Sequence, residues 1–468
     1  MTRPNSTTAA LAGSMPVIFL TFVFLTGGGS RSDVSSLPFL RGISLLFVFW
    51  AATRMRREDW SRVSVPLGLL LAMTGWIALQ LVPLPPAIWQ GLDGRDTVVA
   101  IDALLGNTDL WRPISMTPSL TLNSLLGMTV PIAALLLAAR VSPDEYPRIL
   151  MALVVLACFS AILGLIQILG GDSSPAYLYR ITNSSSMVGL FANRNHHAFF
   201  LACMIPVVGT LMRDELQRKR RRSLVSAALG FALVLLTVMT VLIGSRAGFV
   251  AGVVAFSFAY AIVVAARRGP PVKPESPVRH AVTVRNAGRW LIYSPPVLLA
   301  ALLGAALWLS DRTTSLTRLA GNDVVEDLRV RAWPTVRSMV ETYWTTGSGF
   351  GSFPEVYKVY EPDGLLQQAY FNRAHNDWAE VVMTGGIPAV LILLFALLWI
   401  GSRIRERGLR NLLKGHRGDL RLAGILVLVI LAAVSFVDYP LRVPSLQLFA
   451  IVMTIFLCCP FAREVQGE

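Results

Sequence analysis

The chain has 468 residues, of which 54% are hydrophobic and 15% charged, with a formal net charge of +14. A soluble protein carries about a quarter charged residues, and no water-soluble core absorbs apolar runs near 20 residues that recur from end to end. Such runs match the length that crosses roughly 30 Å of hydrocarbon, where only a helix satisfies its own backbone polar groups, so the sequence predicts an all-α, polytopic membrane protein forming a single integral membrane domain over 1–468.

In chain order, twelve transmembrane helices are predicted at about 15–30, 38–53, 64–82, 119–139, 149–169, 196–212, 224–244, 247–266, 290–309, 378–401, 422–437 and 444–461. The first run lacks an A-x-A site, so no cleaved signal peptide is expected. Cys158, Cys203, Cys458 and Cys459 lie in apolar runs without metal-ligand spacing and read as small apolar fillers. With the N-terminus in the cytoplasm, alternate threading gives the cytoplasmic segments 27 Lys and Arg against 11 Asp and Glu, and leaves 15 against 17 elsewhere. This asymmetry follows the positive-inside rule and places both termini in the cytoplasm. The basic runs Arg218 to Arg222 and Arg403 to Arg421 are then cytoplasmic anchors, and nucleic acid is not an expected partner.

Two outward segments are long. The loop 83–118 opens on Pro83-Leu84-Pro85-Pro86, which breaks a helix, and its stretch from Ala87 to Leu105 is predicted to lie along the membrane interface. The larger loop, 310–377, contains an amphipathic helix from Val324 to Thr342, with Val325, Leu328, Ala332, Val336, Met339 and Val340 on one face. A glycine-rich turn, Gly347-Ser348-Gly349-Phe350-Gly351, follows it. The Pro- and Arg-rich segment 267–289 reads as a flexible cytoplasmic linker.

Some outward polar residues do not serve as anchors. Arg246 sits in Gly244-Ser245-Arg246-Ala247-Gly248, between two apolar runs with almost no loop. A charge there is costly and is usually paired or functional, and snorkelling to headgroups is the plainer alternative. Arg329 and Arg331 precede Trp333 on the loop helix, where a binding face and a solvated face are equally good readings. Arg194 and Asn195 precede His196 and His197 at the mouth of the 196–212 span. His375 stands where the larger loop meets a span, beside Asn376 and Asp377, which could fix its tautomer for general-base work. Arginines bind phosphate through bidentate, permanently charged forks. With a histidine, they suit transfer from a lipid-linked diphosphate to a hydroxyl, the arginines meeting the charge of the leaving group. No outward D-x-D motif is present to hold a divalent metal, so neither metal nor cofactor is expected; Asp323, Glu326 and Asp327 read as charges at a helix N-terminus.

An ordered string of motifs between about Gln80 and Pro444 resembles the O-antigen ligase and polymerase family of bacterial membrane glycosyltransferases. Gly189 to Ala198 is similar to its G-x-x-x-N-x-N-x-x-A element, and Ser245-Arg246-Ala247-Gly248 to S-R-x-G. Arg329 to Trp333, then Gly347 to Phe353, resembles R-x-x-x-W followed by G-x-G-x-x-x-F, and His375-Asn376 with Glu380 and Gly385 resembles H-N-x-x-x-E-x-x-x-x-G. Two positions depart from the pattern: Phe350 lies between the family glycines, and Thr345-Thr346 replaces the usual proline before the turn. The resemblance implies a twelve-span bundle of the membrane glycosyltransferase type in the bacterial inner membrane. It also implies an undecaprenyl diphosphate-linked glycan donor and metal-independent transfer at the periplasmic face, to a lipid A-core or polysaccharide acceptor. Carried over by motif, Arg246 and Arg329 bind the diphosphate with Arg194 as a weaker partner, His375 activates the acceptor hydroxyl, and Asn376, Glu380 and Asn195 support them. A ligase is favoured over a polymerase of the same chemistry. A transporter of lipid-linked sugars would place its charges near the bilayer midplane rather than outside it.

Overall fold

A computed structural model describes residues 6–142, 145–218, 223–267, 324–366, 371–406 and 416–458. Apart from one pair of two-residue strands, the described elements are all helices. Six are long and apolar enough to cross a membrane: Arg57–Leu79, Pro118–Ala139, Tyr146–Leu169, Ser223–Leu242, Arg246–Val264 and Asp377–Arg405. Shorter apolar helices, Ser14–Thr26, Leu37–Ala52, Leu420–Val434 and Pro444–Phe456, fall where four further spans are predicted. The span predicted at 196–212 falls within the helix Arg194–Gln217. The span at 290–309, the linker beyond residue 267 and the first part of the larger loop lie outside the described residues.

Contacts divide the chain into two compact units. The first comprises residues 1–149, 323–409 and 431–468. Its hub is the helix Thr129–Ala139, buried at Val130 and at every residue from Ala133 to Ala139. The helices Leu37–Ala52, Arg57–Leu79 and Pro444–Cys458 all pack on it. Its alanines let neighbouring backbones approach closely, which replaces the missing hydrophobic drive between helices in lipid.

The loop 83–118 has its own small core. Pro83–Leu84 pairs antiparallel with Arg112–Pro113. The predicted amphipathic stretch is two short helices, Pro86–Trp89 and Asp96–Leu104, rather than one. Trp89 is buried and donates to the Leu110 carbonyl at 2.8 Å, and Arg112 grips buried Asp102 with two nitrogens. The helix Val324–Tyr343 buries Ala332, Val336, Met339 and Tyr343 against Phe353, Val356, Tyr357 and Met383. This is the face that the spacing predicts.

The second unit comprises residues 150–322 and 410–430. Its hub is the helix Arg194–Gln217, buried without a break from His196 to Leu211. Arg246–Arg267 and Ser223–Leu242 pack on it. Beside it, buried Gln167 stitches the loop after residue 170 together. Its amide donates to the carbonyls of Ala176 and Gly189, and its carbonyl accepts from the amides of Val188 and Gly189.

Candidate functional site

In the first unit, the glycine-rich turn clamps the start of the helix Asp377–Glu406. The amides of Ser348 and Gly349 donate to the carbonyls of Met383 and Thr384 at 2.9 and 3.0 Å. Gly347 has φ +80°, and a Cβ there would lie 2.3 Å from the Thr384 oxygen, so only glycine fits. Buried Gln80 bridges both partners, donating to the Thr384 carbonyl at 2.9 Å and accepting from the Phe350 amide at 3.1 Å. Phe350, the departure from the family pattern, packs with Ile77 and Ala389. Gly386, at φ +63°, kinks the helix where the turn meets it.

This clamp fixes the helix end that carries His375. Among the described residues, His375 is the one non-glycine residue with positive φ, at +50°. Such a conformation costs of order 1–3 kcal/mol and marks a side chain held in place by its surroundings. The imidazole lies edge-on to Phe371 and Tyr439, with ring centroids 5.3 and 4.9 Å away. Its Nδ1 is 3.5 Å from Oδ1 of Asp438, a carboxylate only 1% exposed. The other Asp438 oxygen faces Arg329 Nη2 at 3.7 Å, and Arg329 Nη1 donates to the Val437 carbonyl at 3.4 Å. One buried acid thus faces both a base and a permanent cation. Arg331, two residues on, lies on the exposed side of its helix, so the two arginines that the sequence left equal have different settings.

On either side of His375 a buried ionic network holds the backbone. Glu380, fully buried, accepts from Arg373 Nη1 at 2.9 Å and from the Ala374 amide at 3.1 Å. Asp377 accepts from Arg442 Nε and from the Leu441 amide, both at 3.1 Å. Arg442 also lies 3.7 Å from Glu380. The Asn376 side chain accepts from the Ala379 amide at 3.0 Å and caps the helix. Asn376 and Glu380 therefore anchor the backbone at His375, while the carboxylate at Nδ1 is Asp438. In the sequence, Asp438-Tyr439-Pro440-Leu441 is a further element of the family resemblance, but nothing there gives Asp438 a role. It stands alone at the end of an apolar run, and its partners are 63 and 109 residues away, too far for any local pattern.

The second unit holds Arg194, Asn195 and Arg246. Arg194 and Arg246 are each the first residue of a helix. Asn193 caps one helix by accepting from the Asn195 amide at 2.8 Å, and Ser245 caps the other by accepting from the Gly248 amide at 3.1 Å. A Cβ on Gly248 would lie 2.5 Å from that of Ala198, and one on Gly209 2.7 Å from that of Ala259. Both pairs are separated by fifty residues, so the helices run parallel in close contact, and Arg194 and Arg246 sit at the same end. Two capped N-termini side by side, each with an arginine, concentrate positive potential and amide donors suited to anions.

Among the described residues, no group of His, Cys, Asp and Glu has the arrangement to hold a metal ion. The repeated long apolar helices define a multi-pass α-helical membrane protein. A family model described as O-antigen ligase matches residues 231–394 and supports assignment of the chain to the O-antigen ligase/polymerase family, with a glycosyltransferase-like ligase or polymerase role. The match includes Arg246, Arg329, His375 and Glu380 and leaves out Arg194 and Asp438. No curated protein matches the chain.

Proposed function

We propose that this chain is an O-antigen ligase of twelve spans in the bacterial inner membrane, with both termini cytoplasmic. It transfers a glycan from undecaprenyl diphosphate to a hydroxyl of lipid A-core at the periplasmic face. The observation that carries the reading is Asp438 set between His375 and Arg329 at a helix end. Asp438 at Nδ1 favours the tautomer whose Nε2 is free to take a proton, and it stabilises the imidazolium that forms. In the reaction, the acceptor oxygen forms a bond to the anomeric carbon as its proton passes to His375. The bond from that carbon to the diphosphate oxygen breaks, and the diphosphate departs with the electron pair. Arg329, beside Asp438, neutralises that growing charge, and Arg246 and Arg194 are assigned to the diphosphate as well by their sequence motifs. Asn195, Asn376 and Glu380 fix the backbone around these groups. The family description favours a ligase, and a polymerase that uses a growing polysaccharide as acceptor is the alternative with the same chemistry.

A deletion strain, examined by lipopolysaccharide gel, tests this. Unattached O-antigen beside bare core is expected. The parent gene should restore attachment, whereas His375→Ala and His375→Asn should not, at near-normal protein abundance. Asparagine tolerates the left-handed backbone, so its failure would report lost chemistry rather than strain. Core carrying a single repeat would instead mean a polymerase, and a normal gel would move the acceptor elsewhere. Activity in either His375 variant would overturn the base assignment.

A further inference from the structure

The first unit contains a cavity of about 260 Å³ that is lined by Arg373 and Asp377 but not by His375. A water needs roughly 10–15 Å³ by this measure, so the space suits a larger occupant. Arg41, Arg373 and Arg442 line it, together with Asn123 and Gln447. Asp377, paired with Arg442, also lines it with Ser30, Ser124 and Ser435, and Met73, Ile77, Val381 and Leu393 make up much of the remaining, apolar wall. A smaller recess of about 30 Å³ shares Asn123, Ser124 and Arg373 with it and extends to Arg31 and Asn372.

The charges do not cancel. Arg373 and Arg442 face the two carboxylates Glu380 and Asp377. Arg41 reaches only the neutral Asn123 amide oxygen, at 2.6 Å, among the hydrogen bonds of the described residues. Arg442 Nη2 is buried and, among the described residues, makes no hydrogen bond. The Arg31–Asp33 pair at the recess is neutral overall. Three guanidinium groups against two carboxylates leave one positive charge in a partly apolar cavity, where an uncompensated charge is costly. A monoanion with two acceptor oxygens would meet Arg41 and the spare Arg442 nitrogen together.

We propose that this cavity binds the phosphodiester of an anionic membrane lipid. The phosphate lies among Arg41, Arg373 and Arg442, the headgroup extends into the recess, and a chain follows the apolar wall. A phosphodiester carries the single negative charge that the site lacks, whereas a diphosphate would exceed it. The proposal goes beyond the transfer reaction and does not depend on it, because no step of it uses His375.

The test is native mass spectrometry of the full-length protein, titrated with phosphatidylglycerol or phosphatidylcholine, with a parallel thermal-shift series in inorganic phosphate. One phosphatidylglycerol should be retained per chain, at least tenfold more tightly than phosphatidylcholine. Arg41→Gln should weaken that retention at least tenfold. Met73→Trp, which fills the apolar wall without touching the charges, should also lose it. His375→Ala should bind lipid like the parent even with transfer abolished, which separates this proposal from the catalytic one. Retention unchanged in both Arg41→Gln and Met73→Trp would overturn the site. No preference for phosphatidylglycerol over phosphatidylcholine would do the same. Stabilisation by inorganic phosphate without saturable lipid retention would overturn the lipid assignment in favour of a free anion.

Discussion

Replacing Asp438 with asparagine preserves its shape and removes its charge. In the proposed transition state His375 is an imidazolium whose Nδ1 lies 3.5 Å from Asp438 Oδ1. At an effective dielectric near 20, a unit charge pair at that distance attracts by about 5 kcal/mol. His375 is 12% exposed, so solvent screens part of this. An expected loss of about 10²- to 10³-fold in kcat/KM corresponds to about 3–4 kcal/mol at about 1.4 kcal/mol per tenfold. Asparagine also presents an amide that can donate toward Nδ1, which would favour the wrong tautomer and push the loss toward the upper figure. The assay is transfer from a polyprenyl diphosphate-linked glycan in proteoliposomes, with initial rates normalised to folded protein. Binding of the donor should change much less than turnover. A rate within threefold of the parent would refute the reasoning, since neither the tautomer nor the imidazolium would then depend on Asp438.

Three further outcomes follow from other parts of the molecule. Arg329→Lys and Arg246→Lys should each lower transfer at least tenfold, because an ammonium cannot replace a planar fork; parent-like rates would remove those residues from the donor site. Glu380→Gln removes a fully buried charge and leaves the half-buried Arg373 and Arg442 short of it, and should cost about 3–5 kcal/mol of stability, read as a lower thermal midpoint in detergent. An unchanged midpoint would mean that the network is not structural. Gly248→Leu should destabilise by about 1–3 kcal/mol or more through overpacking on Ala198, and a parent-like midpoint would contradict the close contact of the parallel helices.

The apolar runs made most helices legible because a span must bury its backbone whatever its partners are. The face of Val324–Tyr343 was legible for a similar reason: Ala332, Val336 and Met339 recur at helical spacing whatever they pack against. His375 and Arg246 stood out as polar groups at the ends of apolar runs. What remained hidden depends on distant pairing. Asp438 gains meaning only when it meets His375 and Arg329, and the split of the Ala87 to Leu105 stretch depends on Trp89 and Asp102 finding partners across the loop. Arg373 and Glu380 are only seven residues apart, but the chain turns out of the helix at His375, so no helical spacing announced their pairing. The third member, Arg442, was not readable.

The stitching by Gln80 sets a timetable for biogenesis. Its amide meets the Thr384 carbonyl across 304 residues, and Arg373 reaches the Ser30 carbonyl across 343. Synthesis proceeds at roughly 5–20 residues per second, so the first helices wait of the order of 15–60 s in the membrane before their clamp emerges. During that interval Gln80 and the Ser30 carbonyl are half-made contacts that lipid must tolerate. The last helices complete Asp377 and His375, so a chain stalled before residue 438 is inserted but chemically mute. Such a product holds Asp377 and Glu380 without Arg442, a carboxylate pair short of one of its two cations.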